Sequence, residues 1–116
     1  IDQRDRKIPI VQQFTAGSSK YLDVSHGFSY SWRRNAPPGH SILADSIKLN
    51  GRLIAPNDTV RVVTNSFLAD GGDGDTVFRE GKRLSIGPTD IESLESYFAA
   101  HSPVTPGPAN RVTRID

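Results

Sequence analysis

The stretch SIKLNGRLIAPNDTVRVVTNSFLADGGDGDTVF, from Ser46 to Phe78, holds the strongest folding signals of the chain. Asn50-Gly51 lies between alternating apolar residues and predicts a two-residue hairpin turn, because both central positions of such a turn need positive φ. That register sets Ile47 opposite Ile54 on one face. The following APND predicts a second turn, and the β-branched TVRVVTN predicts a strand that runs into a glycine-rich loop.

Working outward, three further segments carry a strand pattern. In FSYSW (28–32) aromatic residues alternate with serines, as in a half-buried strand, and YLDVS (21–25) and RVTRI (111–115) predict shorter strands. REGKRLSIGP (79–88) is polar and rich in turn residues. No pattern places residues 1–17, whose charged residues suggest a solvated terminus.

A single helix is predicted near the end of the chain, at TDIESLESYFAAHS (89–102). Thr89 and Glu92 form a capping box, in which each side chain satisfies a backbone N–H at the helix start. An apolar stripe recurs at helical spacing, formed by Ile91, Leu94, Phe98 and the adjacent Tyr97. The chain is therefore predicted to be α+β, with mostly antiparallel strands and one clear C-terminal helix.

Composition limits the classes of function. The 116 residues suffice for one domain, and a net charge of +1 predicts no general attraction to nucleic acid or to a membrane. The chain has no cysteine, which excludes disulfides and thiol chemistry. It also has no methionine, even at position 1, and opens on polar sequence, so we expect a piece of a longer protein.

The loop Asp70-Gly71-Gly72-Asp73-Gly74-Asp75 admits four interpretations. A calcium site is disfavoured, because the loop lacks the glycine and the glutamate of the EF-hand template. A phosphate-binding loop is disfavoured too, because three acidic side chains would repel the phosphate and no helix signal follows directly. Spacing alone favours a tight acidic surface turn.

The fourth interpretation is a site for a flat polar ligand. An aromatic ring gains about 1–3 kcal/mol from stacking on a nucleobase. An ionised carboxylate can accept hydrogen bonds from two neighbouring hydroxyls. Phe67 and Asp73 could therefore hold a nucleoside by its base and its ribose, while Gly71 and Gly72 would let the backbone approach the ligand closely.

The motif TVRVVTNSFLADGGDGDTVF closely resembles the C-terminal domain of the 5′-nucleotidase family, in which a strand leads into N-x-F-L-A-x-G-G-D-G. That family includes UDP-sugar hydrolases and 2′,3′-cyclic-nucleotide phosphodiesterases. YLDVSHGFSYSW and the closing helix, proline turn and strand are also similar to family segments. The resemblance covers about residues 18–115, so residues 1–116 are expected to form one partial domain.

The resemblance implies the substrate-binding part of a two-domain enzyme. In the family, an N-terminal metallophosphatase domain carries two divalent metal ions, and the C-terminal domain binds the nucleoside. Phe67 matches one of two aromatics that stack on the base, and Asp73 matches the aspartate that binds the ribose hydroxyls. Asn65, Gly71 and Gly72 are expected to support the loop. The family's periplasmic or secreted members imply an exported parent protein.

Several family features have no counterpart in this chain. The other stacking aromatic, the substrate-binding arginines and the metal motifs D-x-H and G-N-H-[DE] all lie upstream in the family. No catalytic residue and no metal ligand are therefore expected here, and the chain alone is expected to be inactive. The alternatives are a stand-alone ligand- or calcium-binding module and a purely structural domain.

Overall fold

The computed structural model describes residues 2–7, 21–37, 40–72 and 76–116, without the side chains of 2–7, 76, 83 and 84. These residues form an α+β structure with one main helix, which confirms the predicted fold class. The strands are β1 (Asp2–Lys7), β2 (Phe28–Trp32), β3 (Lys48–Leu49), β4 (Arg52–Leu53), β5 (Thr59–Thr64), β6 (Lys82–Ile86) and β7 (Val112–Arg114). The helices are α1 (Ser66–Ala69) and α2 (Asp90–His101), with 3₁₀ helices at Ala44–Ser46 and Thr76–Glu80.

The structure divides into two compact units, each with its own sheet. The first contains a three-stranded sheet in the order β5-β1-β6, in which β1 pairs antiparallel with both neighbours. The pairing of β1 with β5 runs without a break from Asp2 opposite Thr64 to Lys7 opposite Thr59. In this sheet β5 is followed directly by α1, and this connection positions the start of the glycine-rich loop.

Two predictions fail in this sheet. The N-terminal segment, which no pattern places and which looked like a solvated terminus, contains the central strand β1. The segment 79–88, interpreted as polar and turn-rich, contains β6. Both strands are polar, and their backbone hydrogen bonds come from partners far away in the sequence, so a local pattern carries no signal of them.

The second unit contains a four-stranded sheet in the order β4-β3-β2-β7. Its hairpin confirms the predicted turn, since Asn50 and Gly51 have φ values of 51° and 80°. The backbone N–H of Ile54 donates to the Ile47 carbonyl at 3.0 Å, as the predicted register requires. β2 and β7 pair in parallel, whereas the other strand pairs in both sheets are antiparallel.

The core of this second unit is aromatic. Tyr30, Trp32 and Ile47 are buried together, with half-buried apolar side chains around them. The Tyr21 ring packs on Trp32 with 5.3 Å between the ring centroids. The predicted alternation in FSYSW is thus confirmed in β2, where Tyr30 and Trp32 are buried and the serine between them is half-buried.

The strand predicted at residues 21–25 is wrong, because this segment has no ladder partner among the described residues. Its carbonyl groups bond to other elements instead. The Tyr30 hydroxyl donates to the Leu22 carbonyl at 2.6 Å, and the Arg111 guanidinium donates to the Val24 carbonyl at 3.1 Å. A turn at His26-Gly27 follows, in which Gly27 has a φ of 92°. Side-chain donors thus satisfy backbone groups that a strand neighbour would otherwise bond.

The predicted helix is confirmed as α2, together with its capping box. The Thr89 hydroxyl accepts from the Glu92 N–H at 3.3 Å, and the Glu92 carboxylate accepts from the Thr89 N–H at 2.8 Å. Hydrogen bonds from the Thr89 hydroxyl and backbone lower the pKa of Glu92. The apolar stripe of α2 is about half exposed among the described residues. In the described part of the chain, α2 falls short of the length and apolarity of a membrane span.

The Asp116 carboxylate joins β7 to the turn after β2. It accepts from the backbone N–H of Arg34 at 2.8 Å and of Asn35 at 2.9 Å. The hydrogen bond from Asn35 and then that from Arg34 lower the pKa of Asp116. Because the folded state favours the ionised form, the stabilisation is present above the unfolded pKa and is lost as the pH falls through the lowered folded pKa.

We therefore predict that Asp116→Asn lowers the denaturation midpoint at neutral pH, because the substitution removes the charge of the acceptor. The difference from the unmodified chain should shrink as the pH falls below the ordinary carboxyl range. Urea titrations at several pH values measure it. Asp23→Asn is the control, since this exposed carboxylate accepts no hydrogen bond among the described residues. A difference independent of pH would contradict the role of the charge.

Candidate functional site

The site begins where β5 ends, at a short helix capped by Asn65. The Asn65 side-chain oxygen accepts from the Leu68 N–H at 2.8 Å, as an N-cap residue does. The helix α1 ends at once, since the Gly71 N–H donates to the Leu68 carbonyl at 2.9 Å and Gly71 has a φ of 89°. Ala69 is fully buried and anchors this turn. A single capped turn thus carries Phe67 and delivers the chain to the glycines.

Phe67 packs on the backbone of Gly72. A methyl group built on Gly72 would lie 2.5 Å from Cδ1 and 2.6 Å from Cζ of the Phe67 ring, and similarly close to Cε1 between them. Nearly equal distances to three consecutive ring carbons place that position over the ring face, because a position beyond the edge would be clearly nearer to the middle carbon. Gly72 therefore covers one face of the ring, and any side chain there would collide with it.

Phe67 is nevertheless 60% exposed as a residue. Since Gly72 covers one face, the opposite face and the edges are the parts of the ring that a ligand could contact. A large aromatic side chain held by the backbone on one side and open on the other is a platform on which a flat ring can stack.

The side chain of Arg79 lies over Gly71, as the ring of Phe67 lies over Gly72. Its Nε donates to the Asp70 carbonyl oxygen at 2.6 Å. A methyl group on Gly71 would lie 2.7 Å from Nε and 3.0 Å from Cζ of the guanidinium. Arg79 comes from the 3₁₀ helix Thr76–Glu80, which packs against α1. The two adjacent glycines thus each leave room for one side chain, the guanidinium over the first and the aromatic ring over the second.

These groups line a shallow concavity of about 380 Å³, formed by Ser66, Phe67, Asp70, Gly71, Gly72 and Arg79. Its wall combines an aromatic ring, a hydroxyl, a carboxylate, a guanidinium and the partly exposed backbone of the two glycines. Such a surface suits a flat, partly polar ligand that stacks on a ring and accepts hydrogen bonds, since binding sites pair apolar contact with a few placed polar groups.

The structure brings together three of the predicted site residues, Phe67, Gly71 and Gly72. Asn65 lies just before them and acts through the backbone of α1, without lining the concavity. Asp73 lies outside the described residues. Arg79 is the member that sequence reasoning missed. Eight positions separate it from Gly71, and an arginine in a polar segment carries no local signal of a contact with a glycine.

A metal centre finds no support in the described part of the chain, where no three His, Asp or Glu side chains cluster as ligands. Asp73 and Asp75, two carboxylates of the loop, lie outside that part. A phosphate site on α1 is also unsupported, because a helix of four residues has too small a dipole to hold an anion.

The fold and the concavity together describe an α+β structure with an aromatic and glycine-rich candidate site. The family model described as "5'-nucleotidase, C-terminal domain" matches residues 6–80, which is more than half of the chain. The chain therefore belongs to the 5′-nucleotidase C-terminal domain family, as the loop motif predicts.

Individual relatives agree with this assignment. A 5′-nucleotidase of Diplobatis ommata is 28% identical over 113 residues, which cover 91% of this chain and 19% of the relative. The trifunctional nucleotide phosphoesterase protein YfkN of Bacillus subtilis is 46% identical over 70 residues, covering 57% of this chain and 5% of the relative. The crystal structure of a 5′-nucleotidase precursor from Thermus thermophilus matches with a TM-score of 0.65 and 30% identity.

The lengths of these matches bear on function. The structural match covers 78% of this chain and 18% of the Thermus protein. The chain thus spans about a fifth or less of these relatives. The family of the domain is established by these matches, while activity and substrate belong to the longer proteins.

Proposed function

We propose that the chain is the nucleoside-binding part of a metal-dependent nucleotide phosphohydrolase, either a 5′-nucleotidase or a 2′,3′-cyclic-nucleotide phosphodiesterase. The observation that carries the proposal is Phe67, whose ring is backed by Gly72 on one face although the residue is 60% exposed. The activities for which the relatives are named, 5′-nucleotidase and nucleotide phosphoesterase, support a nucleotide as the ligand.

In this proposal Phe67 stacks on the base and Asp73 accepts hydrogen bonds from the ribose hydroxyls. Neither residue takes part in bond breaking. They contribute by orientation, since a correctly held phosphate ester reacts as if at high effective concentration. Asn65, Gly71 and Gly72 hold the platform by capping α1 and by giving the two side chains room.

The partner is the N-terminal metallophosphatase domain of the same protein. Two divalent metal ions bound there would supply Lewis acidity and an activated water. In this proposal the metal ions belong to that other domain, and this chain contributes the binding of the nucleoside. We propose export of the parent protein on the family resemblance alone.

Replacing Asp73 tests the ribose contact. In the full-length enzyme, Asp73→Ala should raise KM for a nucleoside monophosphate by about tenfold or more and lower kcat much less. The reason is that charge-assisted hydrogen bonds contribute about 1.5–3 kcal/mol and these bind substrate without contacting the reacting phosphorus. Steady-state kinetics with saturating metal measure both constants.

Two further measurements complete this test. Asp45 is an exposed acidic residue of the other unit, so Asp45→Ala should leave KM and kcat unchanged. With a 2′-deoxynucleotide, which keeps only the 3′-hydroxyl, the difference in KM between Asp73→Ala and the unmodified enzyme should be smaller. A collapse of kcat at unchanged KM would contradict a positioning role. A rise in melting temperature with calcium, in the absence of any response to nucleosides, would favour the alternative calcium-binding module.

A further inference from the structure

Arg79 has no place in the function proposed so far, although it lines the same concavity as Phe67. We infer that Arg79 is a positioning residue for nucleoside binding, which holds the glycine pair so that Gly72 backs the Phe67 ring. This inference rests on the proposed function, because it assumes that Phe67 stacks on the base.

The hydrogen bond to Asp70 is the first support. Arg79 Nε donates to the Asp70 carbonyl at 2.6 Å, and a charged donor makes this one of the stronger kinds of hydrogen bond. Asp70 is the C-cap residue of α1, the residue at which the chain leaves the helix for the glycines. The bond therefore holds the exit from α1, three residues beyond Phe67.

The packing on Gly71 is the second support. The Nε, Cζ and one terminal nitrogen of Arg79 would lie 2.7, 3.0 and 3.2 Å from a methyl group on Gly71. The flat guanidinium thus covers the position that a side chain would fill. Gly71 has a φ of 89°, which glycine adopts readily because it has no Cβ. The Gly71 N–H is already bonded to the Leu68 carbonyl, and the guanidinium of Arg79 adds a contact on the other side of this residue.

The effect reaches the aromatic ring through one peptide bond. Gly71 and Gly72 are consecutive, so a rotation of Gly71 moves the backbone of Gly72, which covers one face of Phe67. Losing the Arg79 contacts should loosen the platform without changing any group that faces the reacting phosphate. The expected consequence is weaker binding of substrates that carry a base, and a smaller loss for substrates without one, which feel only the movement of the backbone leading to Asp73.

The test compares two phosphate esters in the full-length enzyme, a nucleoside 5′-monophosphate and ribose 5-phosphate, which lacks the base. Arg79→Met keeps an unbranched stem that reaches about as far as Nε, and it removes the guanidinium with every donor. We expect KM for the nucleotide to rise by about tenfold, with kcat within about a factor of two. The kcat/KM for ribose 5-phosphate should fall clearly less than that for the nucleotide.

Arg79→Lys is the rescue variant. Its ammonium can donate to the Asp70 carbonyl but cannot cover Gly71 as a plane, so KM should fall between the values of the unmodified enzyme and Arg79→Met. Arg33→Met is the matched control, because Arg33 is exposed and its side chain has no hydrogen bond among the described residues. Circular dichroism checks that each variant is folded.

Three results would overturn the inference: an unchanged nucleotide KM in Arg79→Met, an equal loss for both esters, or Arg79→Lys behaving like Arg79→Met. Phe67→Ala, measured in parallel, separates the two proposals. If Phe67→Ala leaves the nucleotide KM unchanged, the stacking function itself fails. If Phe67→Ala raises it and Arg79→Met does not, stacking stands and only the role of Arg79 is rejected.

Discussion

Phe67→Ala in the full-length enzyme is expected to raise KM for a nucleoside monophosphate by about tenfold to a hundredfold, with kcat little changed. Stacking of a base on an aromatic ring contributes about 1–3 kcal/mol, and each 1.4 kcal/mol corresponds to about a tenfold change in binding. The ring is already exposed and backed by Gly72, so its removal takes away a contact surface without opening a cavity in a core. Steady-state kinetics on a nucleotide and on ribose 5-phosphate measure the effect.

Two variants control for this prediction. Phe98→Ala removes an aromatic side chain of comparable exposure, 44%, from α2, outside the concavity, and should leave KM unchanged. Phe67→Trp keeps an aromatic face and should retain most of the affinity. Equal KM values for Phe67→Ala and the unmodified enzyme, or an equal loss with ribose 5-phosphate, would reject stacking at this ring.

Trp32→Ala is expected to cause the largest loss of stability. Trp32 is only 4% exposed, at the end of β2, where it packs with Tyr30 and Ile47. Replacing a buried tryptophan by alanine removes its transfer free energy and leaves a cavity, which together cost about 3–5 kcal/mol. The Tyr21 ring, which packs on Trp32, also loses its partner.

Urea titration followed by circular dichroism measures this loss, because the variant has no tryptophan to report by fluorescence. Leu53→Ala is the control for removal of apolar surface, since Leu53 is 51% exposed in β4 and should change stability by less than about 0.5 kcal/mol. Trp32→Phe should lose less than Trp32→Ala. If Trp32→Ala lowers the free energy of unfolding no more than Leu53→Ala does, Trp32 is not part of the core that stabilises this unit.

The elements that the sequence predicts correctly are those whose stabilising interactions or backbone preferences involve residues close together in the sequence. Asn50-Gly51 dictates its hairpin because glycine and asparagine accept positive φ, and the observed angles agree. Thr89 and Glu92 mark the start of α2 because each satisfies a backbone N–H of the other. The alternation in FSYSW marks the buried face of β2 for the same kind of local reason.

The strands that the sequence did not predict correctly depend on distant partners. β1 is polar and becomes a strand only because β5 and β6 lie on either side of it, more than fifty residues along the chain. The segment 21–25 has a strand composition but finds no ladder among the described residues, so it stays irregular. Strand propensity is weak beside the availability of a partner, which local sequence does not encode.

The candidate site shows the same division. By itself the sequence determined the family and the pairing of an aromatic with a glycine-rich loop, because these depend on a contiguous motif from Asn65 to Gly72, whereas the capped turn α1 was not predicted. Only the tertiary structure decided that Gly72 backs the ring of Phe67 and that Arg79 lies over Gly71. The physical reason is that a glycine in the sequence indicates only that space is needed beside the backbone. Which side chain fills that space depends on contacts between residues that are distant in sequence.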